Sequence, residues 1–367
     1  MWTRLAPVLL AGICVGSCAP ATSVPAPAPT SPAAPPSVVA RAPAATTAPS
    51  APSTTVRVGL MYSASDAGLM IAAERGYLQE QSLEMEPQRV GSAAEMLPLV
   101  AGAQVEVGGT TLTPGYLNAY ARGVRLRVVA DKGSTAPGGA YQGIVLRRAL
   151  RDSGEVRRPA DLRGRKVALP SLGSTSEVSI DKFLRPDGLH ATDTDLTQLA
   201  FPDMPAALAS GAIDAAHVGE PLITQIDASG SGVIWQREDE FYPRHQVGLV
   251  YYSEPFVTEH SNVARRFMAA YLRAVRDYND AFVKGDPGRR AEIVDILVKN
   301  TPVKDRALYD RMVMPALHPD GEVNLDSLRE DYDYWLANGY QEERVTVADL
   351  VDASFTRAVV EQLGPYR

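Results

Sequence analysis

Short apolar runs rich in β-branched residues alternate along the chain with stretches in which apolar residues recur at helical spacing. The first such run, residues 56–60, is followed by a polar loop and an amphipathic stretch that ends at Gly76. A second helix is expected between the capping box of Ser92 and Glu95 and the stop at Gly102. Repeated strand and helix units of this kind predict mainly parallel sheets flanked by helices.

The alternation continues through most of the remaining chain. Further strands are expected at residues 104–107, 126–130, 166–169 and 213–218, and helices at 265–283, 289–299 and 325–337. Residues 101–112 and 210–222 share one layout, in which a glycine ends a helix and a strand then runs into a polar loop. This internal similarity predicts two related α/β lobes.

The N-terminus has the layout of a secretory signal. Arg4 precedes an apolar run that ends in small residues. The residues Val15-Gly16-Ser17-Cys18 look like a bacterial lipobox, in which residues 1–17 are removed and Cys18 is lipidated. The alternatives are an ordinary signal cleaved nearby and a short uncleaved anchor. All three interpretations export the chain.

A segment rich in Pro, Ala, Ser and Thr follows, at residues 18–54. Between residues 19 and 53 it carries ten prolines and a single charge, Arg41. Because this composition cannot bury a core, we expect a disordered tether, with a reach of at most about 100 Å. Signal and tether together predict a protein that is exported, either lipid-anchored to the outer face of the cytoplasmic membrane or periplasmic.

Composition narrows the class of function. The chain has 36 Lys+Arg against 43 Asp+Glu, a formal charge of -7, without the clustered cations that nucleic acids require. Its cysteines, Cys14 and Cys18, both precede the body, which therefore has no thiolate nucleophile or Cys-ligated metal. Its five histidines lack a metal-ligand spacing, and no hydrolase or phosphate-loop motif occurs. We therefore expect no enzyme, with no catalytic residues, no metal and no cofactor.

Four loops that follow predicted strands carry the candidate ligand-binding residues. Ligands of parallel α/β sheets bind beyond the carboxyl ends of the strands, where helix N-termini offer free N–H groups and a partial positive charge. Small and hydroxylated residues at such ends let a ligand approach the backbone. The candidates are Tyr62, Ser63, Gly109, Thr110, Thr111, Gly173, Ser174, Thr175 and Glu220.

These candidates also have purely structural interpretations. Ser174 and Glu177 fit a second capping box, so that the serine would do no more than start a helix. Thr110 can satisfy backbone groups in a turn, and Glu220 would complement a helix dipole whatever the function. Tyr62 can equally pack in the core. The sequence leaves both interpretations open.

Three segments resemble the periplasmic substrate-binding proteins of ABC importers, in the group that takes nitrate, sulfonates and taurine, or the pyrimidine precursors of thiamine. The segments are residues 72–78 (AAERGYL), 161–168 (DLRGRKVA) and 206–216 (AALASGAIDAA), the last followed by Glu220-Pro221. Their order and spacing, over roughly residues 56–285, carry the resemblance. The lipobox and the tether fit it independently.

The resemblance implies the type II fold of these proteins, with a ligand cleft between two lobes. Residues 55–147 and 247–367 would form the first lobe and residues 148–246 the second. It also implies delivery of the ligand to an ABC permease. The loops at residues 109–111 and 173–175, at predicted helix N-termini, suit an oxyanion, so we expect a monomer that captures a small anionic organic molecule, similar to a sulfonate, taurine or nitrate. The alternatives are import of a pyrimidine thiamine precursor or an aromatic compound, and a ligand-sensing interaction module. No nucleic acid is expected as a partner.

Overall fold

The computed structural model describes residues 53–137, 139–342 and 344–367. The expected signal peptide, residues 1–17, and the lipidation site Cys18 lie outside the described residues. So does the expected tether, residues 18–54, except for its last two positions. Within the described ranges, no helix is long and apolar enough to cross a membrane.

Strands and helices alternate over the first two thirds of the described chain, and helices dominate the rest. The strands are β1 (Thr54–Leu60), β2 (Leu83–Arg89), β3 (Val107–Thr110), β4 (Leu126–Ser134), β5 (Gln142–Arg147), β6 (Lys166–Leu169), β7 (Asp195–Gln198), β8 (Ala215–Gly219), β9 (Gly232–Arg237) and β10 (Gln246–Ser253). The α-helices are α1 (Ala67–Glu74), α2 (Tyr77–Glu80), α3 (Ala93–Ala101), α4 (Pro114–Ala121), α5 (Arg148–Ser153), α6 (Thr175–Leu184), α7 (Met204–Ser210), α8 (Leu222–Ser229), α9 (Glu254–Thr258), α10 (Ser261–Phe282), α11 (Pro287–Asn300), α12 (Leu325–Ala337) and α13 (Ser354–Leu363). Short 3-10 helices cover Ala64–Asp66, Pro159–Leu162, Arg185–Asp187, Ala191–Asp193, Phe201–Asp203, Glu238–Glu240, Arg306–Asp310 and Val347–Leu350.

These strands form two five-stranded sheets. The strand order is β2-β1-β3-β10-β4 in the first sheet and β7-β6-β8-β5-β9 in the second. In each sheet four strands point one way and a single strand runs against them, β10 in the first and β5 in the second. The predicted two-lobed α/β fold with mainly parallel sheets is therefore confirmed.

The reversed strands mark where the chain passes between the sheets. After β4 in the first sheet the chain crosses through residues 135–141 to β5, and after β9 in the second sheet it returns through residues 238–245 to β10. The sequence placed residues 142–147 in the first lobe, whereas the structure pairs them with β8 and β9 of the second sheet. An apolar pattern predicts that a strand exists but does not tell which sheet it joins.

The carboxyl ends of two strands in the first sheet differ from the sequence prediction. β3 begins at Val107 and includes Gly109 and Thr110, which were expected in a loop. β4 continues past its expected end over Asp131 and Lys132, which are 1% and 2% exposed. Polar residues ended the predicted strand at residue 130, but Asp131 and Lys132 stay in the sheet because Gln246 and Asp66, from elsewhere in the chain, pair with them.

Helix α10 organises the core of the first lobe. It packs on α1, α11 and α13, and its buried face carries Phe267, Tyr271 and Val275. Helix α1 approaches closely because it has Gly68, where a Cβ atom would lie 2.7 Å from the Tyr271 ring. The Tyr271 hydroxyl donates to the carbonyl of Asp131 at 2.7 Å and so ties this helix to β4.

A buried polar network joins the two crossings between the sheets. The Glu238 carboxylate accepts hydrogen bonds from Thr135 Oγ1 at 2.8 Å and Ser179 Oγ at 2.5 Å. It also lies 3.2 Å from Nε2 of His217 and 3.2 Å from Nδ1 of His245. Because Thr135 belongs to the first crossing and Glu238 and His245 to the second, this one carboxylate holds both connections together.

His245 extends the network to helix α12. Its Nε2 lies 3.3 Å from Asp331 Oδ2, and the Tyr242 hydroxyl donates to Asp331 Oδ1 at 2.8 Å. Burial disfavours a charged imidazole, but the carboxylates of Glu238 and Asp331 outweigh it and raise the pKa of His245 to about 10. Burial likewise opposes a charged Glu238, yet His245 and His217 hold its pKa well below the usual range. At neutral pH an imidazolium therefore lies between two carboxylates.

We predict that this network makes stability fall as the pH rises. The folded-state pKa of His245, about 10, exceeds its ordinary 6.5, so its contribution is complete below about pH 6.5 and is lost as the pH approaches 10. His245→Gln should be less stable than wild type by about 3 kcal/mol near pH 6.5, because two buried carboxylates lose their counter-charge. The difference should shrink toward pH 10, as measured by urea unfolding across this range.

His260→Asn is the matched control, because His260 is an exposed histidine at the start of α10. Its stability should follow that of wild type at every pH. A gap between wild type and His245→Gln that stays constant from neutral to alkaline pH would contradict a charged His245.

Candidate functional site

A cleft of about 1230 Å³ is lined by residues of both lobes. Its lining includes residues directly after β1 and β3 of the first sheet and after β6 and β8 of the second. Four helices begin there, with the lining residues Ser92 and Ala93 (α3), Thr113 and Pro114 (α4), Ser174 and Thr175 (α6), and Leu222 (α8). Each helix start contributes partial positive charge and unpaired N–H groups to the cleft.

Most of the residues proposed from the sequence lie together in this cleft. The lining contains Ser63, Thr110, Thr111, Gly173, Ser174, Thr175 and Glu220. They are far apart in the chain and meet because the strands that precede them end at the same place. Their contact with a ligand stays a prediction.

The structure places the other two candidates, Tyr62 and Gly109, outside the lining. Tyr62 has a left-handed backbone, with φ 55°, and packs on the core of the first lobe. The guanidinium carbon of Arg89 lies 5.0 Å from the centroid of the Tyr62 ring. At Gly109 a Cβ atom would be 2.6 Å from Cδ of Lys132. The glycine therefore makes room for a lysine side chain and is not itself presented to the cleft.

The Ser174 hydroxyl does not cap helix α6, contrary to the capping interpretation of the sequence. It makes no cap hydrogen bond, and its Oγ is buried with no hydrogen-bond partner among the described residues. Glu177 stabilises this end of the helix instead, because its carboxylate accepts from the Gly173 N–H at 2.7 Å. The Tyr334 hydroxyl donates to the same carboxylate at 2.8 Å. The serine hydroxyl remains available to a ligand.

Thr110 presents a similar hydroxyl from the first lobe. The residue is 3% exposed, and within the described ranges its Oγ1 has no hydrogen-bond partner. A buried hydroxyl without a partner costs free energy, so its presence in a cleft points to a bound molecule that completes it. The neighbouring Thr111 differs, because its hydroxyl donates to the Leu112 carbonyl at 3.2 Å.

A buried ion pair next to the cleft was missed by sequence reasoning. Lys132, 2% exposed, and Asp66, 0% exposed, have their Nζ and Oδ1 atoms 2.8 Å apart. The Lys132 ammonium also donates to Ser65 Oγ at 2.8 Å, and the residue lines the cleft. An ammonium has three N–H groups, so two are used here and one is left for a ligand. The signal was Gly109, since a glycine in a buried strand makes space for the close approach of a large side chain.

The carboxylate of Glu220 is engaged by the protein itself. Its side chain is fully buried and accepts from Thr224 Oγ1 at 2.9 Å, Arg237 Nη1 at 3.0 Å and the Val313 N–H at 3.2 Å. Val313 precedes Ala316, which bridges to β4 of the first sheet. The sequence proposed Glu220 as an acceptor for a ligand, whereas the structure uses the carboxylate to tie the second lobe to this segment.

The cleft offers an anion hydrogen-bond donors and no unpaired charged side chain. Lys132 and Glu220 are the charged residues of its described lining, and each is paired with an opposite charge. Acidic side chains lie at three of the four helix starts, Glu95 in α3, Glu177 in α6 and Glu220 before α8. The cleft therefore attracts an anion through individual N–H and O–H donors, such as those at the start of α6, and not through a net positive charge. Among the described residues, no group of three or more His, Cys, Asp or Glu is arranged to hold a metal ion. Two α/β lobes with a hydroxyl-lined cleft at their facing strand ends define the class of two-lobed binding proteins.

The sequence assigns the chain within this class. It belongs to the NMT1-like family, whose model matches residues 49–298. None of the curated proteins matches it significantly. The expected resemblance to binding proteins for sulfonate and nitrate is confirmed at the level of the fold, which solved structures of such proteins share with this chain.

Three of these structures illustrate the range of functions on this fold. The nitrate-binding protein NrtA from Synechocystis has a TM-score of 0.68 and 17% identity, over 85% of this chain and 89% of its own. The aliphatic sulphonate binding protein SsuA from Escherichia coli has a TM-score of 0.64 and 19% identity, over 81% and 92%. The desulfurization enzyme DSZB has a TM-score of 0.59 and 15% identity, over 84% and 99%. Sequence identities this low show that these proteins share the fold of this chain, and nothing further.

We predict that the contributions of Lys132 and Asp66 to the unfolding free energy are coupled. Lys132→Met leaves the Asp66 carboxylate buried without its cation and should cost about 3–5 kcal/mol of unfolding free energy. The double variant Asp66→Asn/Lys132→Met should regain most of this loss, because no buried charge remains. Urea unfolding of the three proteins measures the coupling.

Lys299→Met provides the control for removing a lysine charge. Lys299 pairs with Glu74 on the surface and its side chain is 66% exposed, so the loss should stay within about 1 kcal/mol. Equal instability of the single and double variants at the buried pair would show that the two charges are not coupled.

Proposed function

We propose that this protein is the extracytoplasmic solute-binding component of an ABC importer, which captures a small organic anion between its lobes and delivers it to a membrane permease. The observation that carries the proposal is the pair of buried hydroxyls, Thr110 on the first lobe and Ser174 on the second. Neither has a hydrogen-bond partner in the described part of the chain, and both line one cleft. A ligand that accepts from both would connect the lobes.

The donors around these hydroxyls support an anion as the ligand. The N–H groups of Thr175 and Ser176 lie in the first turn of α6, before the intrahelical hydrogen bonds begin. The third N–H of Lys132 adds a charged donor. The oxygens of a sulfonate, carboxylate or nitrate accept from all of these groups. A cation would meet these donors and no free carboxylate in the described lining.

Binding would close the lobes around the two crossings, residues 135–141 and 238–245. A ligand held by Thr110 and Ser174 together has more contacts in the closed form than in the open one, and this difference in affinity drives closure. The closed form then presents a surface formed by both lobes to the permease. No covalent bond is made or broken in this cycle.

Export and anchoring complete the proposal. The lipobox ending at Cys18 and the tether of residues 18–54 support a protein held by lipid at the outer face of the cytoplasmic membrane, or released in the periplasm. A tether of this length lets the binding domain reach its permease while it stays near the membrane.

Catalysis in the same cleft has less support. A serine nucleophile needs a base within hydrogen-bonding reach. The hydroxyl of Ser174 has no such partner among the residues that the structure describes. We therefore propose binding, and not turnover, for this member of a fold that also includes an enzyme.

A thermal-shift screen of the full-length protein tests the function. The panel contains sulfonates, taurine, nitrate, aromatic carboxylates, pyrimidines and amino acids. A ligand at about 100 times its Kd stabilises the native state by about 2.7 kcal/mol, which gives a clear shift in Tm. Shifts confined to anions, with the compound recovered unchanged, support the proposal. Shifts confined to cations or neutral compounds would overturn it.

We predict that the two buried hydroxyls matter for binding and not for folding. Ser174→Ala and Thr110→Val should each weaken binding of the best anion from the screen by about 1–3 kcal/mol, because a hydrogen bond to a charged group is lost. The unfolding free energy without ligand should stay the same or rise, since each change removes a hydroxyl without a partner in the described chain. Calorimetric titration and urea unfolding give the two readouts.

Thr301→Val is the matched control, for which we expect the opposite pair of results. The Thr301 hydroxyl is bonded to the Leu297 carbonyl and to Tyr309, both at 2.8 Å, so its removal should destabilise the fold and leave the anion affinity unchanged. Unaltered affinity in both Ser174→Ala and Thr110→Val would remove these hydroxyls from the site.

A further inference from the structure

We infer that the anion captured by this protein carries a bulky apolar body, which lies in a groove between helices α3 and α4. The inference rests on the proposed function, since it takes an anion in the cleft as its starting point. It adds the shape and chemistry of the rest of the ligand. Nitrate and taurine are too small to fill the site that it describes.

The size of the cleft is the first argument. Its volume of about 1230 Å³ exceeds the 300–1,000 Å³ that is usual for small-molecule sites. The contacts expected for the acidic group, at Thr110, Ser174 and Lys132, belong to the ends of β3 and β4 and to the start of α6. The cavity does not stop there, because its lining also runs along two helices of the first lobe.

The chemistry of that extension is the second argument. We define the α3–α4 groove by its accessible lining residues, Pro98 and Ala101 on α3, Ala119 on α4 and Val124 before β4; the buried residues Leu97, Tyr116 and Leu126 belong to the same lining. Between Ala94 and Ala101, both in the lining, helix α3 rises by about 10 Å. The groove is therefore long enough for a ring system or an extended chain and is walled by apolar side chains.

The polar groups next to the groove are already satisfied by the protein. The Tyr116 hydroxyl donates to the Leu126 carbonyl at 2.9 Å and the residue is buried, so the tyrosine offers no polar group to a ligand. Thr113 Oγ1 accepts from the Tyr116 N–H at 3.2 Å as the cap of α4. A polar body would lose its water in this groove without gaining a partner, whereas an apolar body gains from leaving water.

The groove is continuous with the proposed site for the acidic group. Thr110, Thr111 and Thr113 follow one another along the chain from β3 to the start of α4, and all line the cavity. An anion whose acidic group is held at Thr110 can therefore extend its body along α4. This continuity assigns the groove to the ligand of the cleft.

The test is calorimetric titration of the full-length protein with methanesulfonate, butanesulfonate and octanesulfonate. These anions share one acidic group and differ only in the number of methylene groups. Each added methylene that enters the groove should tighten Kd by about fourfold. A Kd that falls steadily with chain length supports the inference. Binding of methanesulfonate as tight as that of octanesulfonate overturns it and leaves the proposed function standing.

Two variants locate the effect in the groove. Ala119→Phe fills the groove with a ring and should remove most of the increase in affinity from methanesulfonate to octanesulfonate. Ala291→Phe makes the same change at an exposed position of α11 and should keep the full gain. A gain that survives Ala119→Phe unchanged overturns the assignment to this groove. If no sulfonate or other anion of any length binds, the proposed function fails, and the inference fails with it.

Discussion

The carboxylate of Glu238 is the group on which the arrangement of the two lobes depends. A buried charge persists only where it is paired and hydrogen-bonded, and the partners of this one come from both crossings, from α6 and from β8. The lobes cannot separate at this point without leaving Glu238 and His245 unpaired in an apolar interior. Opening of the cleft must therefore be a rotation about the crossings that keeps the network intact.

The character of the cleft follows from the direction of the strands on either side of it. Each sheet presents the carboxyl ends of its parallel strands, so helix starts from both lobes meet there. The charged side chains of the described lining, Lys132 and Glu220, are neutralised by partners within the protein. Backbone N–H groups at the helix starts, together with hydroxyls such as those of Thr110 and Ser174, therefore provide the directed donors. This division suits a ligand that must be released again, because no unpaired buried charge remains when the site is empty.

Sequence patterns predicted the parts of the fold that depend on neighbours in the chain. Helix α12 has the predicted bounds, Leu325–Ala337, and the candidates Ser63, Ser174 and Thr175 line the cleft because they lie in loops or helix starts after apolar strands. Their contact with a ligand stays a prediction. The pattern failed where a residue depends on a distant partner. Lys132 stays in β4 because Asp66 neutralises it, and Gly109 makes room for that lysine. Neither contact leaves a periodic signal in the sequence, and the same holds for the network around Glu238.

The central claim is that both lobes hold the acidic group of an organic anion whose apolar body points along α4. A crystal structure of the protein with its tightest anion tests this most directly. The account predicts the acidic group within hydrogen-bonding distance of the hydroxyls of Thr110 and Ser174, with the body beside Ala119. An acidic group that faces solvent, or that contacts one lobe alone while the body lies outside the groove, would contradict the account.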